Sequence, residues 1–350
     1  MSDMDVFELA RIIFLATLSF VFAMAWTPFL THILYRYKLG KQIRASASAP
    51  VMSAMHIKKS GTPTMGGVLI WVTVLLVCAG LWIGHREWPA TFFGRLNFLT
   101  RAQTLLPLGV LLGSALVGLV DDWMNINRKG PHGGGMSMHW RLVVYTLIAA
   151  VGAWWFTEKL GWDTVHIPFV GDVLLGAWSW VFYLLVIVAT AFSVNETDGL
   201  DGLAGGVLIT SFSAFGALAF FQGRFDLAAF CAVIIGSLLA FLWFNINPAR
   251  FFMGDTGAMA LGVTLGIVAL LTHSALWLPL IGFVLVVESV SVLVQQFWKR
   301  VLGKKLFLST PIHHHFEAIG WSEPKIVMRA WVISVVVAVL GVALALVDKT

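Results

Sequence analysis

Apolar runs of about 20 residues alternate with short polar stretches along the whole chain. A helix that crosses a hydrocarbon core of about 30 Å needs about 20 mostly apolar residues. By that measure the pattern predicts ten helices, over 7–34, 66–84, 103–120, 139–157, 173–193, 200–221, 226–243, 256–273, 276–300 and 326–347. "QGRF" (222–225) reads as a tight turn, and "THSA" (272–275) separates the eighth and ninth runs. "WDTVHIPFVGD" (162–172) is expected to form a small hairpin. The longest connections are 35–65 and 301–325, so residues 1–350 are expected to form one integral membrane domain. The first run outlasts a signal-peptide core and has no small-residue cleavage site after it, so it reads as a retained helix. The fold class is all-α, a polytopic membrane protein with about ten transmembrane helices.

Composition supports that reading. Hydrophobic residues make up 59% and charged residues 12% of the 350 positions, about half the charge of a soluble chain. Mean hydropathy is +0.86. The net charge of +5 would suggest nucleic acid in a soluble protein, but here its distribution speaks of topology. Sixteen Lys and Arg residues fall in the loops after odd-numbered helices or in the helix ends that flank them, and five in the loops after even-numbered ones. The positive-inside rule then puts the odd loops in the cytoplasm and both termini in the periplasm. Cys78 and Cys231 lie in apolar runs and read as buried small hydrophobes.

The unusual polar residues all fall in the five inner loops: "KKSGTPTMGG" (58–67), "DDWMNINRKG" (121–130), "NETDGLDG" (195–202), "NINPARFFMGDTG" (245–257) and "PIHHHFE" (311–317). Acids at the ends of apolar helices are costly unless paired, metal-bound or hydrated. Asp121 and Asp122 are expected to end the third helix, where a carboxylate opposes the macrodipole and a cation such as Mg²⁺ relieves both that and their mutual repulsion. Asp198 and Asp201 are expected to open the sixth helix on one face, as caps or as ligands. Asp255 opens the eighth. Phe251 and Phe252 suit stacking on a base or anchoring at the interface, and Arg250 suits a phosphate. His313, His314 and His315 are consecutive and cannot all face one zinc ion, but they can contact phosphate or sugar. Lys58 and Lys59 before a Gly-Thr-Pro-Thr turn suit an anionic ligand or lipid headgroups. Carboxylates, basic groups and Gly turns at one membrane face together describe phosphoryl transfer between a lipid phosphate and a soluble nucleotide. The 301–312 stretch is expected to lie along the interface as a basic amphipathic segment.

The ordered set "GTPTMGG", "VDDWMN", "NETDGLDGLAGG", "NINPARFFMGDTG" and "TPIHHHFE" resembles the phospho-N-acetylmuramoyl-pentapeptide transferases, within the polyprenyl-phosphate N-acetylhexosamine-1-phosphate transferases. The resemblance implies a bacterial inner-membrane enzyme of peptidoglycan synthesis with its active site at the cytoplasmic face. Undecaprenyl phosphate would attack the β-phosphate of UDP-N-acetylmuramoyl-pentapeptide, giving lipid I and UMP, with Mg²⁺ required. It further implies Asp121 and Asp122 as paired catalytic acids, one of them a proposed base, and Asp255 as a Mg²⁺ ligand. Asp198 and His314 join the catalytic set. Lys59, Thr64, Asn195, Gly199, Leu200, Asp201, Asn245, Phe252, Gln295 and His315 match other polar or donor-binding positions; Arg250 and His313 are added from the residues themselves. Glu196 is given no role.

A phosphomonoester has a second pKa of about 6, so the nucleophile is largely ionised at pH 7 and charge screening is expected to outweigh base catalysis. The expected partners are the two substrates and the bilayer, with a homodimer left open and no nucleic acid. Rival readings are a related transferase using UDP-N-acetylglucosamine, a prenyltransferase, for which the partner of the single Asp-rich motif is missing, and an ion-coupled transporter. A transporter would place its acids near the midplane and often show repeated halves, neither of which is found here.

Overall fold

The computed structural model describes residues 3–40, 59, 61–101, 103–130 and 134–348; Lys58 lies outside them. Thirteen α-helices and one two-stranded hairpin make up these residues. They are α1 Asp3–Arg36, α2 Val68–Glu87, the short α3 Phe92–Arg95, α4 Leu105–Ile126 and α5 Met138–Trp154. After the hairpin come α6 Ser179–Thr197, α7 Leu203–Phe221, α8 Phe225–Asn245 and α9 Asp255–Leu271. The chain ends with α10 Leu278–Ile281, α11 Phe283–Leu302, α12 Ile312–Ala318 and α13 Glu323–Val347. Eight helices are long and apolar enough to cross a membrane, nine if the bent pair α10–α11 counts as one span.

Helix α9 is the axis of the bundle. Every residue from Thr256 to Leu271 is buried, and α4 and α6 pack along its length. A helix that is apolar all round is a core helix, which explains a sequence without a polar stripe. Its 17 residues rise about 26 Å, less than the hydrocarbon core, so at least one end lies below the membrane surface. Helix α8 is gripped by α1, α2 and α7, and α13 lies against α7. The turn Gln222–Arg224 joins α7 to α8 as expected and closes the C-terminal end of α9: Gln222 Nε2 donates to Thr272 O at 2.9 Å, and the Arg224 guanidinium donates to Leu271 O. The expected hairpin is present as β1 Thr164–Ile167 paired antiparallel with β2 Gly171–Leu174.

Three local expectations are corrected. Helix α4 continues past Asp122 to Ile126, so the acids sit inside its last turns and not at its end. Partners from other elements make those inward positions tolerable. Asp198 and Asp201 do not share a helical face, because α7 starts only at Leu203; Asp198 caps the end of α6 and Asp201 lies in the turn. The 276–300 run is broken at Gly282, and its two parts meet at 88°. The 301–312 stretch leaves α11 after Leu302 at Gly303 (φ +65°), and the chain re-enters a helix only at Ile312. Cys78 and Cys231 are buried, as expected.

Candidate active site

The five polar loops do meet at one end of the bundle, where they build two clusters and a set of braces. The first cluster centres on Arg141, in the first turns of α5. Its Nη2 lies 2.8 Å from Asp121 Oδ2 on α4 and 2.9 Å from Asp255 Oδ2 at the start of α9. Its Nη1 donates to Asn195 Oδ1 on α6 at 3.2 Å, and Asn195 Nδ2 donates to Asp255 Oδ1 at 2.7 Å. Asp121 Oδ1 accepts the backbone N–H of Met136 at 2.5 Å. Asp121 Oδ2 has the charge contact with Arg141 but no hydrogen bond, and Arg141 Nε has none either. Two carboxylates thus share a single cation, and Asp121 Oδ2 has that ion-pair contact alone in a buried place.

Asp122 turns elsewhere. Adjacent helical residues point about 100° apart. Its Oδ2 accepts the backbone N–H of Thr256 in the first turn of α9 at 3.0 Å, and its Oδ1 accepts the Thr64 hydroxyl at 3.3 Å. A carboxylate there satisfies an orphan helix-start N–H and favours the macrodipole. Gly254 permits this approach: its φ is +75°, and a Cβ on it would lie 2.5 Å from Asp122 Oδ2.

In the second cluster, Lys59 Nζ lies 2.7 Å from Asp201 Oδ1 and 2.5 Å from Glu323 Oε1. Asp201 Oδ2 accepts Asn247 Nδ2 at 3.0 Å and the backbone N–H of Ala249 at 3.1 Å. Asn245 braces the same region, its Oδ1 accepting Gly202 N–H at 3.0 Å and its Nδ2 donating to Phe251 O at 2.8 Å. Phe252 has its ring centroid 5.9 Å from Lys59 Nζ. Phe251 is fully buried between Phe241 and Phe244, so of the two phenylalanines only Phe252 is placed to stack on a ligand. The Arg250 guanidinium faces the Phe244 ring and makes no ion pair with either cluster.

The three histidines share α12 and diverge. His313 Nδ1 pairs with Glu288 of α11 at 2.9 Å, His314 Nδ1 with Glu317 at 2.7 Å, and His315 Nδ1 accepts Leu308 N–H at 3.3 Å. His313 Nε2 is buried without a hydrogen bond, against Gly199, where a Cβ would come within 2.3 Å of it. Leu200 is buried beside that turn. Gln295 is a brace: its Oε1 accepts the N–H groups of Leu306 and Phe307, and its Nε2 donates to Phe307 O.

Three residues of this end were not singled out in the sequence. Arg141 carried a signal, since a cation in the opening turns of a helix opposes the macrodipole. Glu288 carried another, an acid in the middle of an apolar run. Glu323 had none, because an acid at a helix start is ordinary. Among the described residues no three acids, histidines or cysteines form a metal cage. The groups around the Arg141 guanidinium are nevertheless hard oxygens, Asp121 Oδ2 and Asp255 Oδ2 at Nη2 and Asn195 Oδ1 at Nη1, and a cation already sits between the two acids. That set suits Mg²⁺, which takes one or two carboxylates and completes its shell with water and phosphate.

Known proteins give a consistent picture. The glycosyl transferase family 4 matches residues 104–273, and the phospho-N-acetylmuramoyl-pentapeptide-transferase signature 1 matches residues 59–70. The chain is 37% identical to the phospho-N-acetylmuramoyl-pentapeptide-transferase of Chloroflexus aggregans, over 97% of this chain and 91% of that one. It is 38% identical to the protein of that name in Listeria welshimeri (94% and 96%) and 35% identical to that in Geobacillus thermodenitrificans (95% and 97%).

Proposed function

The chain belongs to the phospho-N-acetylmuramoyl-pentapeptide-transferase family, and from that premise we propose that it makes lipid I for peptidoglycan synthesis. It is a multi-pass membrane protein. The donor is UDP-N-acetylmuramoyl-pentapeptide and the acceptor undecaprenyl phosphate, in the bacterial inner membrane with the site on its cytoplasmic side. An acceptor phosphate oxygen forms a bond to the β-phosphorus of the donor. The bond from that phosphorus to the bridging oxygen breaks, and UMP leaves with the bridging oxygen.

The observation that carries the reading is the convergence of Asp121, Asp255 and Asn195 on Arg141 Nη1 and Nη2. Asp121 and Asp255 would hold Mg²⁺, with the Asn195 amide alongside. When bound, the ion supplies charge neutralisation to the diphosphate and to the departing UMP. Arg141 keeps the two acids apart and oriented, and its positive charge favours approach of two anionic substrates. Asp122 fixes the first turn of α9 and thereby the position of Asp255. Lys59, Phe252 and the Gly199–Asp201 turn form the wall assigned to the donor nucleotide. His314 and His315, on the α12 side, are assigned to phosphate or sugar.

Purified protein incubated with undecaprenyl phosphate, Mg²⁺ and competing UDP-sugars tests this. UMP release with the muramoyl-pentapeptide donor is expected to exceed that with UDP-N-acetylglucosamine. Absence of UMP release from every UDP-sugar would sink the reading.

A further inference from the structure

Helix α13 grips the turn between α6 and α7 at two consecutive residues. Glu323 Oε1 accepts the backbone N–H of Asp201 at 2.6 Å, and Trp331 Nε1 donates to Gly202 O at 3.1 Å. The same Glu323 oxygen lies 2.5 Å from Lys59 Nζ, and Oε2 accepts Asn247 Nδ2 at 3.0 Å. One carboxylate therefore joins residues of the first, third and fourth inner loops to the start of α13. Its side chain is 12% exposed, so little water competes for these bonds. Two carboxylates face one ammonium here, an excess of negative charge that burial disfavours. The first helical position of α13 offsets that cost, because a carboxylate there lies at the positive end of the macrodipole.

We propose that Glu323 is a positioning residue for the nucleotide-sugar donor. It holds Lys59 and the 199–201 turn in the arrangement the donor meets, without touching the reacting atoms. The inference rests on the assignment of that wall to the donor nucleotide. Without Glu323 the Asp201 N–H loses its acceptor, and of the two carboxylates on Lys59 only Asp201 remains. The nucleotide wall then loosens, while the Asp121–Arg141–Asp255 cluster keeps every contact it has.

The test uses the full chain in detergent, as Glu323→Ala, Glu323→Asp and Glu323→Gln. Losing a charge-assisted hydrogen bond from this wall is expected to raise the donor KM about tenfold. Under the same substitution kcat should change less than about threefold and the polyprenyl-phosphate KM not at all. Calorimetric UMP affinity should fall in parallel, with Glu323→Asp recovering part of it. A purely structural role would lower the melting temperature and the active fraction with the donor KM unchanged, and that pattern overturns the proposal. Unchanged UMP affinity in all three variants overturns it as well. If the unsubstituted chain released no UMP from any sugar, the transferase reading would fail, and UMP affinity would still decide the case of Glu323.

Discussion

Two clusters at the same end of this molecule have the same formal composition and opposite states of satisfaction. Around Arg141 stand Asp121 and Asp255; around Lys59 stand Asp201 and Glu323. Each sets two carboxylates against one cation. In the Lys59 cluster all four carboxylate oxygens accept a hydrogen bond. In the Arg141 cluster Asp121 Oδ2 and Arg141 Nε have none. Buried polar groups are normally satisfied, so a saturated cluster acts as scaffold and an unsaturated one is ready for something more. Counting acids would not separate the two; counting satisfied oxygens does.

The comparison can be broken most sharply at the centre of the unsaturated cluster. Asp255→Asn is expected to lower UMP release by about 10²- to 10³-fold, the scale of removing one charge-stabilising group, with the melting temperature nearly unchanged. Asp121→Asn asks a narrower question of the same cluster. Turnover that then depended wholly on alkaline pH, or vanished with Mg²⁺ and substrate binding intact, would show Asp121 acting as a base. Its neighbour should behave differently. Asp122→Ala strands the Thr256 N–H at a buried helix start and should destabilise the fold by about 3 kcal/mol, read by thermal unfolding, with activity falling in step. If Asp122→Ala stayed as stable as the unsubstituted chain, the scaffold reading of Asp122 would be wrong.

The paired substitutions Arg141→Met and Lys59→Met each leave two acids facing one another. Added Mg²⁺ should stabilise Arg141→Met by up to about 2.7 kcal/mol at a hundredfold excess over Kd, more than it stabilises the unsubstituted chain, whereas Lys59→Met, with its Asp121–Asp255 pair intact, should respond no more than the unsubstituted chain; the melting temperature reads both. Equal responses would erase the distinction between the clusters.

The smallest effect is expected at the opposite end. There His166 Nδ1 lies 2.8 Å from Asp172 and Nε2 lies 2.7 Å from Asp348 at the end of α13. Burial disfavours the imidazolium, but its hydrogen bonds to Asp348 and Asp172 outweigh that and raise the His166 pKa above 6.5. A raised folded-state pKa gives stability that is fully present below pH 6.5 and lost as pH rises through the higher value. The melting temperature should therefore drop slightly over that window, and His166→Gln should flatten the curve.

Much of this was legible along the chain. Long apolar runs located the spanning helices within a few residues, and the hairpin and the Gln222–Arg224 turn lay where their residues suggested. The one-sided gathering of polar residues already implied a shared site, and ordered motifs pointed to the family. The misses were all non-local. The last turns of α4 were cut short because two acids look like a helix end, until Thr64, Thr256, Met136 and Arg141 arrive from other elements. The bend at Gly282 was hidden because both halves of that run are apolar. Glu323 was invisible because nothing near it in sequence is unusual.

The sequence by itself determined which segments are helices, which residue types face one end of them, and that acids and cations there are too few and too costly to be incidental. Those are consequences of local period and of the price of charge in an apolar medium. Only the tertiary structure decided which acid meets which cation. Asp121 and Asp122 are adjacent, yet the turn of the helix sends one to Arg141 and the other to the start of α9. Asp201 finds Glu323 across 122 positions of chain. Hydrogen bonds and ion pairs act over a few ångströms of space and are indifferent to distance along the chain, so satisfaction, and with it the division between scaffold and chemistry, is settled only when the helices pack.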